Sequence, residues 1–185
     1  MKQRFNAMAK KWFPMVGLLL WMSILLAGSV QAASLTDLEK SWLTYLREEE
    51  KLARDVYLFL YEKWHSPLFN NIAVAEQTHM DAIKVLLDRY GIPDPAAGKS
   101  RGEFSNADLE VLYGELIQQG SASLVEALKV GVLIEETDID DLSEAMTSAT
   151  RKDIKTVYGN LLQGSVSHLE AFVSNLAKSG VTYEP

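Results

Sequence analysis

Polar, metal-ligating residues interrupt apolar stripes at one point in each of four long helical segments, and this limits what the chain can fold into. In steps of three and four, the first segment reads Leu43, Leu46, Glu50, Ala53, Tyr57, Leu60, Trp64. The second reads Ile72, Glu76, His79, Ile83, Leu86, Tyr90. The third reads Val125, Leu128, Val132, Glu135, Ile139, Leu142, Met146, and the fourth Ile154, Tyr158, Leu161, Ser165, His168, Phe172. Such steps keep residues on one helix face, so every segment aims a carboxylate or an imidazole at the core. An unpaired buried carboxylate costs several kcal/mol. Intrusions at one level are tolerable when a cation sits among them, which points to a metal site inside a helix bundle.

The flanks of these segments set the architecture. Thr36 with Glu39 forms a capping box ahead of the first helix, which runs to about Trp64 before Pro67. Asn70 or Asn71 is expected to cap the second, which stops at Gly91 with Pro93 just beyond. A Pro/Gly/Ser-rich loop follows to Asn106, then a short helix opened by Ser105 with Asp108 and ending near Gly120. Ser121 or Ser123 caps the third long helix, which continues to about Met146; Thr150 with Asp153 opens the fourth, which ends near Lys178. No run alternates with period two, so no strand is expected. Short links make helices one and two, and three and four, antiparallel hairpins. The long link between two and three carries the short extra helix. This is the ferritin-like arrangement of an all-α four-helix bundle with one long crossover.

Residues 1–33 read as a signal peptide preceding a single domain over 34–185. Lys2, Arg4, Lys10 and Lys11 precede an apolar run from Trp12 to Ala27, and small residues close it at Ala32 and Ala33. This implies a periplasmic or secreted protein with no stable membrane insertion after cleavage. Loss of those four cations takes the net charge from −7 to −11. So acidic a chain lacks the basic footprint of a nucleic-acid binder. With no cysteine there is neither a disulfide nor thiolate-ligated iron. Metal ions are the expected partners; the oligomeric state is open.

The candidate ligands are Glu50, Glu76, His79, Glu135 and His168, with Glu49 and Asp138 as further candidates. Glu49 lies on the stripe Trp42, Tyr45, Leu52, Val56, Phe59, and periodicity does not choose between it and Glu50. Glu48 shares a face with Lys51, Asp55 and Glu62 and is expected in water. Glu136 is also expected to face water, and His65 to be a solvated helix end. Glu76 and His79, at (i, i+3), are the Glu-x-x-His unit that di-iron bundles use. Mixed carboxylate and imidazole ligation without sulfur suits iron, with manganese or zinc as alternatives. In this reading Glu76 and Glu135 bridge two metals, while Glu50, His79 and His168 are terminal. Tyr57 is either a hydrogen-bonded core residue or a redox relay.

These residues carry a resemblance. Glu50 to Tyr57 (EKLARDVY) resembles the first-helix ligand motif of rubrerythrins and bacterioferritins. Glu76 to His79 (EQTH) resembles their second-helix motif, and Leu133 to Ile139 (LIEETDI) their third-helix segment. The combination, with Ser167 to Phe172 (SHLEAF), is most similar to the small ferritin-like family known as domain of unknown function 2202, over residues 36 to 180. The resemblance implies a di-iron carboxylate protein with oxidase-type, ferroxidase-type or peroxide-related chemistry. It also implies a fourth-helix Glu where this chain has Ser165. Asp138 is the first candidate to replace that ligand, Glu49 the second. The alternative is a non-catalytic binding or structural bundle with a degenerate metal site.

Overall fold

A computed structural model describes residues 34–183; the expected signal segment lies outside them. Five helices follow in order: α1 (Asp37–Trp64), α2 (Pro67–Tyr90), α3 (Ala107–Gly120), α4 (Leu124–Ser148) and α5 (Lys152–Lys178). No strand occurs among the described residues, and none of their helices is long and apolar enough to cross a membrane. The fold is an all-α bundle. α1 packs on α2 and α4 on α5 as hairpins, the pairs meet through α1–α4 and α2–α5, and α3 lies against α1 and α4.

Most boundaries follow from their end residues. The Thr36–Glu39 capping box is formed, and Gly91, at φ 66°, ends α2 in the left-handed region that favours glycine. Three caps differ from expectation. α2 begins at Pro67, with Ser66 rather than Asn70 or Asn71 at the N-cap. Proline at the first helical position gives up only an N–H that would be unpaired anyway. The hairpin link thus shrinks to His65 and Ser66, with His65 exposed and at φ 51°. Asn106, not Ser105, caps α3, its side chain accepting from Asp108 N and Leu109 N. Arg151 precedes α5 in place of Thr150, because Thr150 is engaged elsewhere.

That engagement is a tertiary clasp. Glu39 Oε2 accepts from Thr36 N, while Oε1 accepts from Thr150 N (2.7 Å) and Thr150 Oγ1 (2.8 Å). It ties the start of α1 to the α4–α5 turn. Burial would raise the Glu39 carboxyl, but the hydrogen bonds from Thr150 and Thr36 outweigh it and hold the pKa at about 2. A carboxyl depressed in the folded state adds stability above its unfolded pKa of 4.5 and loses it as pH falls toward 2. Glu39→Gln therefore costs about 2 kcal/mol at pH 7, from charge-assisted hydrogen bonds lost. That deficit narrows between pH 4.5 and 2, as denaturant unfolding across this range would register.

Glu48 is not in water, and neither are Lys51 and Asp55; all three are buried beneath the 91–106 crossover. Glu48 accepts from Ser105 N and Asn106 N (3.1 Å). Lys51 Nζ donates to Asp55 Oδ2 and Ser100 O, and Asp55 also accepts from Arg54 and Gly102 N. The polar face of α1 is the binding surface for the loop, whose backbone N–H and C=O groups need partners. Glu136 is likewise half-buried rather than open to solvent.

The apolar interior forms two clusters. One gathers Leu52, Val56, Tyr57, Phe69, Leu112, Leu128, Ile134 and Phe172. The other gathers Trp42, Leu43, Leu46, Ile83, Leu86, Leu142, Tyr158 and Leu161. On every long helix the boundary between them falls at the polar intrusion: residues 47–51, 76–79, 135–141 and 165–168. The polar residues form one layer at mid-height.

Candidate metal centre

Glu50 and Glu76 are buried, as are Glu135 and Asp138. The imidazoles of His79, on α2, and His168, on α5, are 11% and 13% exposed, so solvent comes near the layer at these two rings. His79 Nδ1 lies 2.8 Å from Glu76 Oε2 and 3.2 Å from Glu50 Oε2. His168 Nδ1 lies 2.9 Å from Glu76 Oε1 and 3.5 Å from Glu135 Oε2. The two rings stack at 5.5 Å between centroids. Glu76 thus divides its oxygens between two imidazoles, each flanked by a second carboxylate. In both triads, Glu50–Glu76–His79 and Glu76–Glu135–His168, the ligand atoms lie within 4.8 Å of one another. The structure brings all five predicted ligands together.

Several of these atoms meet as ion pairs but lack a well-directed hydrogen bond. Neither Glu76 oxygen has a hydrogen-bond partner, nor does His168 Nδ1, Glu50 Oε1 or Asp138 Oδ1. Buried polar atoms rarely stay unpaired. Ligand atoms this close together, several of them unpaired by any regular hydrogen bond, could hold a metal ion in each triad.

Protons show the same demand for positive charge. Burial would lower His79 and His168, but Glu50 and Glu76 carry His79 up to about 11, and Glu135 and Glu76 carry His168 to about 10. Burial raises Glu76, yet the imidazoles beside it hold it down at about 2. Burial, with the Glu76 charge added, pushes Glu135 to about 8 and Asp138 to about 7. Burial and the nearby Asp138 move Glu50 well above the carboxylate range. A cluster this acidic gathers protons when no other cation is present.

The remaining positions resolve as follows. Tyr57 is fully buried, and its hydroxyl donates to Glu135 Oε1 at 2.6 Å. Glu135 Oε2 is the oxygen turned to His168, at 3.5 Å. Ser165 Oγ donates to Asp138 Oδ2 at 2.5 Å: the residue in place of the fourth-helix Glu holds Asp138 against the layer. Glu49 does not reach the centre; it turns toward Tyr45, whose hydroxyl lies 3.3 Å from Glu49 Oε1, and toward Asp141. Two contributors escaped the sequence reading. Asp141 is buried on the Asp138 face of α4, and its (i, i+3) spacing from Asp138 was the available signal. Gly164 leaves room for His79, since a Cβ there would stand 2.5 Å from His79 Nε2; no sequence pattern marks that approach.

Fold and site together define an all-α bundle with a buried Glu/His cluster able to hold metal ions. Within that class, the chain belongs to the DUF2202 family, described as an uncharacterized protein domain, whose model matches residues 39–185. Uncharacterized protein MJ0754 of Methanocaldococcus jannaschii is 50% identical over 158 residues, 85% of each chain. The crystal structure of hypothetical protein MJ0754 superposes with a TM-score of 0.81, covering 85% of this chain and 90% of that one. A DUF305 fragment from Deinococcus radiodurans shares the fold, with a TM-score of 0.58 at 14% identity over 79% of this chain and 99% of that one.

Proposed function

We propose that the protein is an exported, ferritin-like non-haem metal protein that binds two irons and carries out oxidase-type, ferroxidase-type or peroxide-related redox chemistry. The observation that carries this reading is the division of Glu76 between His79 and His168, each backed by its own carboxylate. Such a shared carboxylate with a terminal Glu and a His on either side suits two adjacent cations. Three carboxylates and two imidazoles without sulfur favour iron, and manganese or zinc share the preference in part. The basic and apolar start of the chain supports export to the periplasm or beyond.

When bound, iron supplies one-electron chemistry toward dioxygen or peroxide. The chain's own residues set its conditions. Glu76 fixes the spacing of the two positions, while Glu50 and Glu135 each supply charge to one. Tyr57 donates to Glu135 Oε1, locking its orientation as outer partners of ligands do. The apolar clusters above and below exclude water, and the α2–α5 face, where the imidazoles are partly exposed, is the approach for a small molecule. With Glu50, Glu76 and His79 holding one iron and Glu76, Glu135 and His168 the other, bound iron would leave room for it.

The test is iron content and Fe(II) oxidation in protein purified from its native compartment. About two irons per chain, with oxygen- or peroxide-dependent Fe(II) oxidation, is expected. No recovered metal, together with a melting midpoint indifferent to chelator, would reject the proposal.

A further inference from the structure

The centre does not use every buried carboxylate. On its α1–α4 side, Glu49 and Asp141 are 1% and 5% exposed and lie within hydrogen-bonding reach of each other. Glu49 Oε2 and Asp141 Oδ2 have no hydrogen-bond partner. Tyr45 is the neutral neighbour of both: its hydroxyl donates to Glu49 Oε1 at 3.3 Å and lies within reach of Asp141. Asp138, with Oδ1 also unpartnered, lies near enough to act electrostatically on both Glu49 and Glu50. Among the described residues, neither Glu49 nor Asp141 forms an ion pair with a lysine or arginine; Arg47 pairs with Asp94 at 2.9 Å. Two buried carboxylates facing one another, with a single Tyr45 hydroxyl to donate to them, are unstable unless a proton or a cation joins them.

We infer that Glu49, Asp141 and the Tyr45 hydroxyl form a separate cation site, backed by Asp138, that takes a hard divalent cation. All its donors are oxygen, unlike the mixed set at the centre, and oxygen donors suit cations such as Mn²⁺. The site also has an approach of its own. Tyr45 lines a surface cleft of about 260 Å³ shared with Glu48, Ser105 and Asn106. Tyr45 is the side chain common to that cleft and to the carboxylate pair. The imidazoles open on the opposite, α2–α5 side, so a small molecule and a metal ion would approach from different faces.

The experiment titrates metal-free protein with Mn²⁺ alone and follows free Mn²⁺ by electron paramagnetic resonance. Wild type is expected to take about three Mn²⁺ per chain, Glu49→Gln with Asp141→Asn about two, and Glu76→Gln about one. The Gln and Asn replacements keep shape and remove buried charge, so the metal-free double variant melts at or above wild type; a lower midpoint shifts the comparison to Glu49→Gln alone, for which the same loss of one equivalent is expected. Equal stoichiometry in wild type and the Glu49 variants overturns the separate site and leaves the Glu76 centre standing. So does complete loss of binding in Glu76→Gln. A single equivalent that survives Glu76→Gln and vanishes in the Glu49 variants supports this site while rejecting the centre.

Discussion

With two metal ions at the proposed centre, Glu76→Ala is expected to release both at once. Among the described residues, Glu76 is the one side chain within 3 Å of both imidazoles, so its removal would open both positions. Any other ligand deletion opens one. A cation that binds only the folded state stabilises it by mass action, about 4 kcal/mol when its concentration is a thousandfold above Kd. For a domain of this size that corresponds to roughly 10 °C in melting midpoint. Wild type should lose this increment on chelation, whereas Glu76→Ala with added metal should regain at most the part owed to the separate Glu49–Asp141 site. Glu48→Ala is the control: it loses the hydrogen bonds to the crossover and some stability, yet keeps its metal. The increment should shrink as pH falls, because metal must displace protons from His79, His168 and Glu135, all raised in the metal-free fold. Equal metal content in Glu76→Ala and Glu48→Ala would show that the layer is not a metal site.

Asp55→Ala has a comparable effect with no metal involved. Asp55 is fully buried and accepts from Lys51, Arg54 and Gly102 N. Lys51 is 1% exposed, beneath the crossover and against the Phe104 ring. Deleting Asp55 leaves that ammonium buried with only the Ser100 carbonyl as hydrogen-bond acceptor. Breaking a buried pair on one side costs about 3–5 kcal/mol, on the order of 10 °C in melting midpoint. Lys51→Met with Asp55→Leu should recover much of it, since apolar replacement of both partners is close to neutral. Thermal melts of the single and double variants decide the matter: a loss under about 1 kcal/mol for Asp55→Ala means that solvent reaches Lys51 and the crossover is loosely held.

The two variants also mark the limits of reading the chain by helix faces. Glu76 and His79 were recognisable because a carboxylate and an imidazole one turn apart broke an Ile/Ile/Leu stripe. Glu135 and His168 followed in the same way. Glu48, Lys51 and Asp55 were misplaced because their face has the composition of a solvated surface; it is the docking surface for a loop. Glu49 and Glu50 could not be separated because α1 is buried on nearly every side at this level, by α2, α4 and the crossover. Neighbours about 100° apart on the helix then face different partners, and both are inside.

Local physics is legible in sequence. A helix has a fixed period, so each chain segment states which of its residues share a face, and capping residues state where most helices stop. That determined an all-α bundle with a long crossover and the five residues brought to one layer. The axial offset between helices is not local; it is set by how side chains of distant segments interlock. Only the tertiary structure therefore decided that Glu76 serves two imidazoles and that Tyr57 takes one oxygen of Glu135. The same packing gave Ser165 to Asp138 and turned Glu49 and Asp141 toward each other.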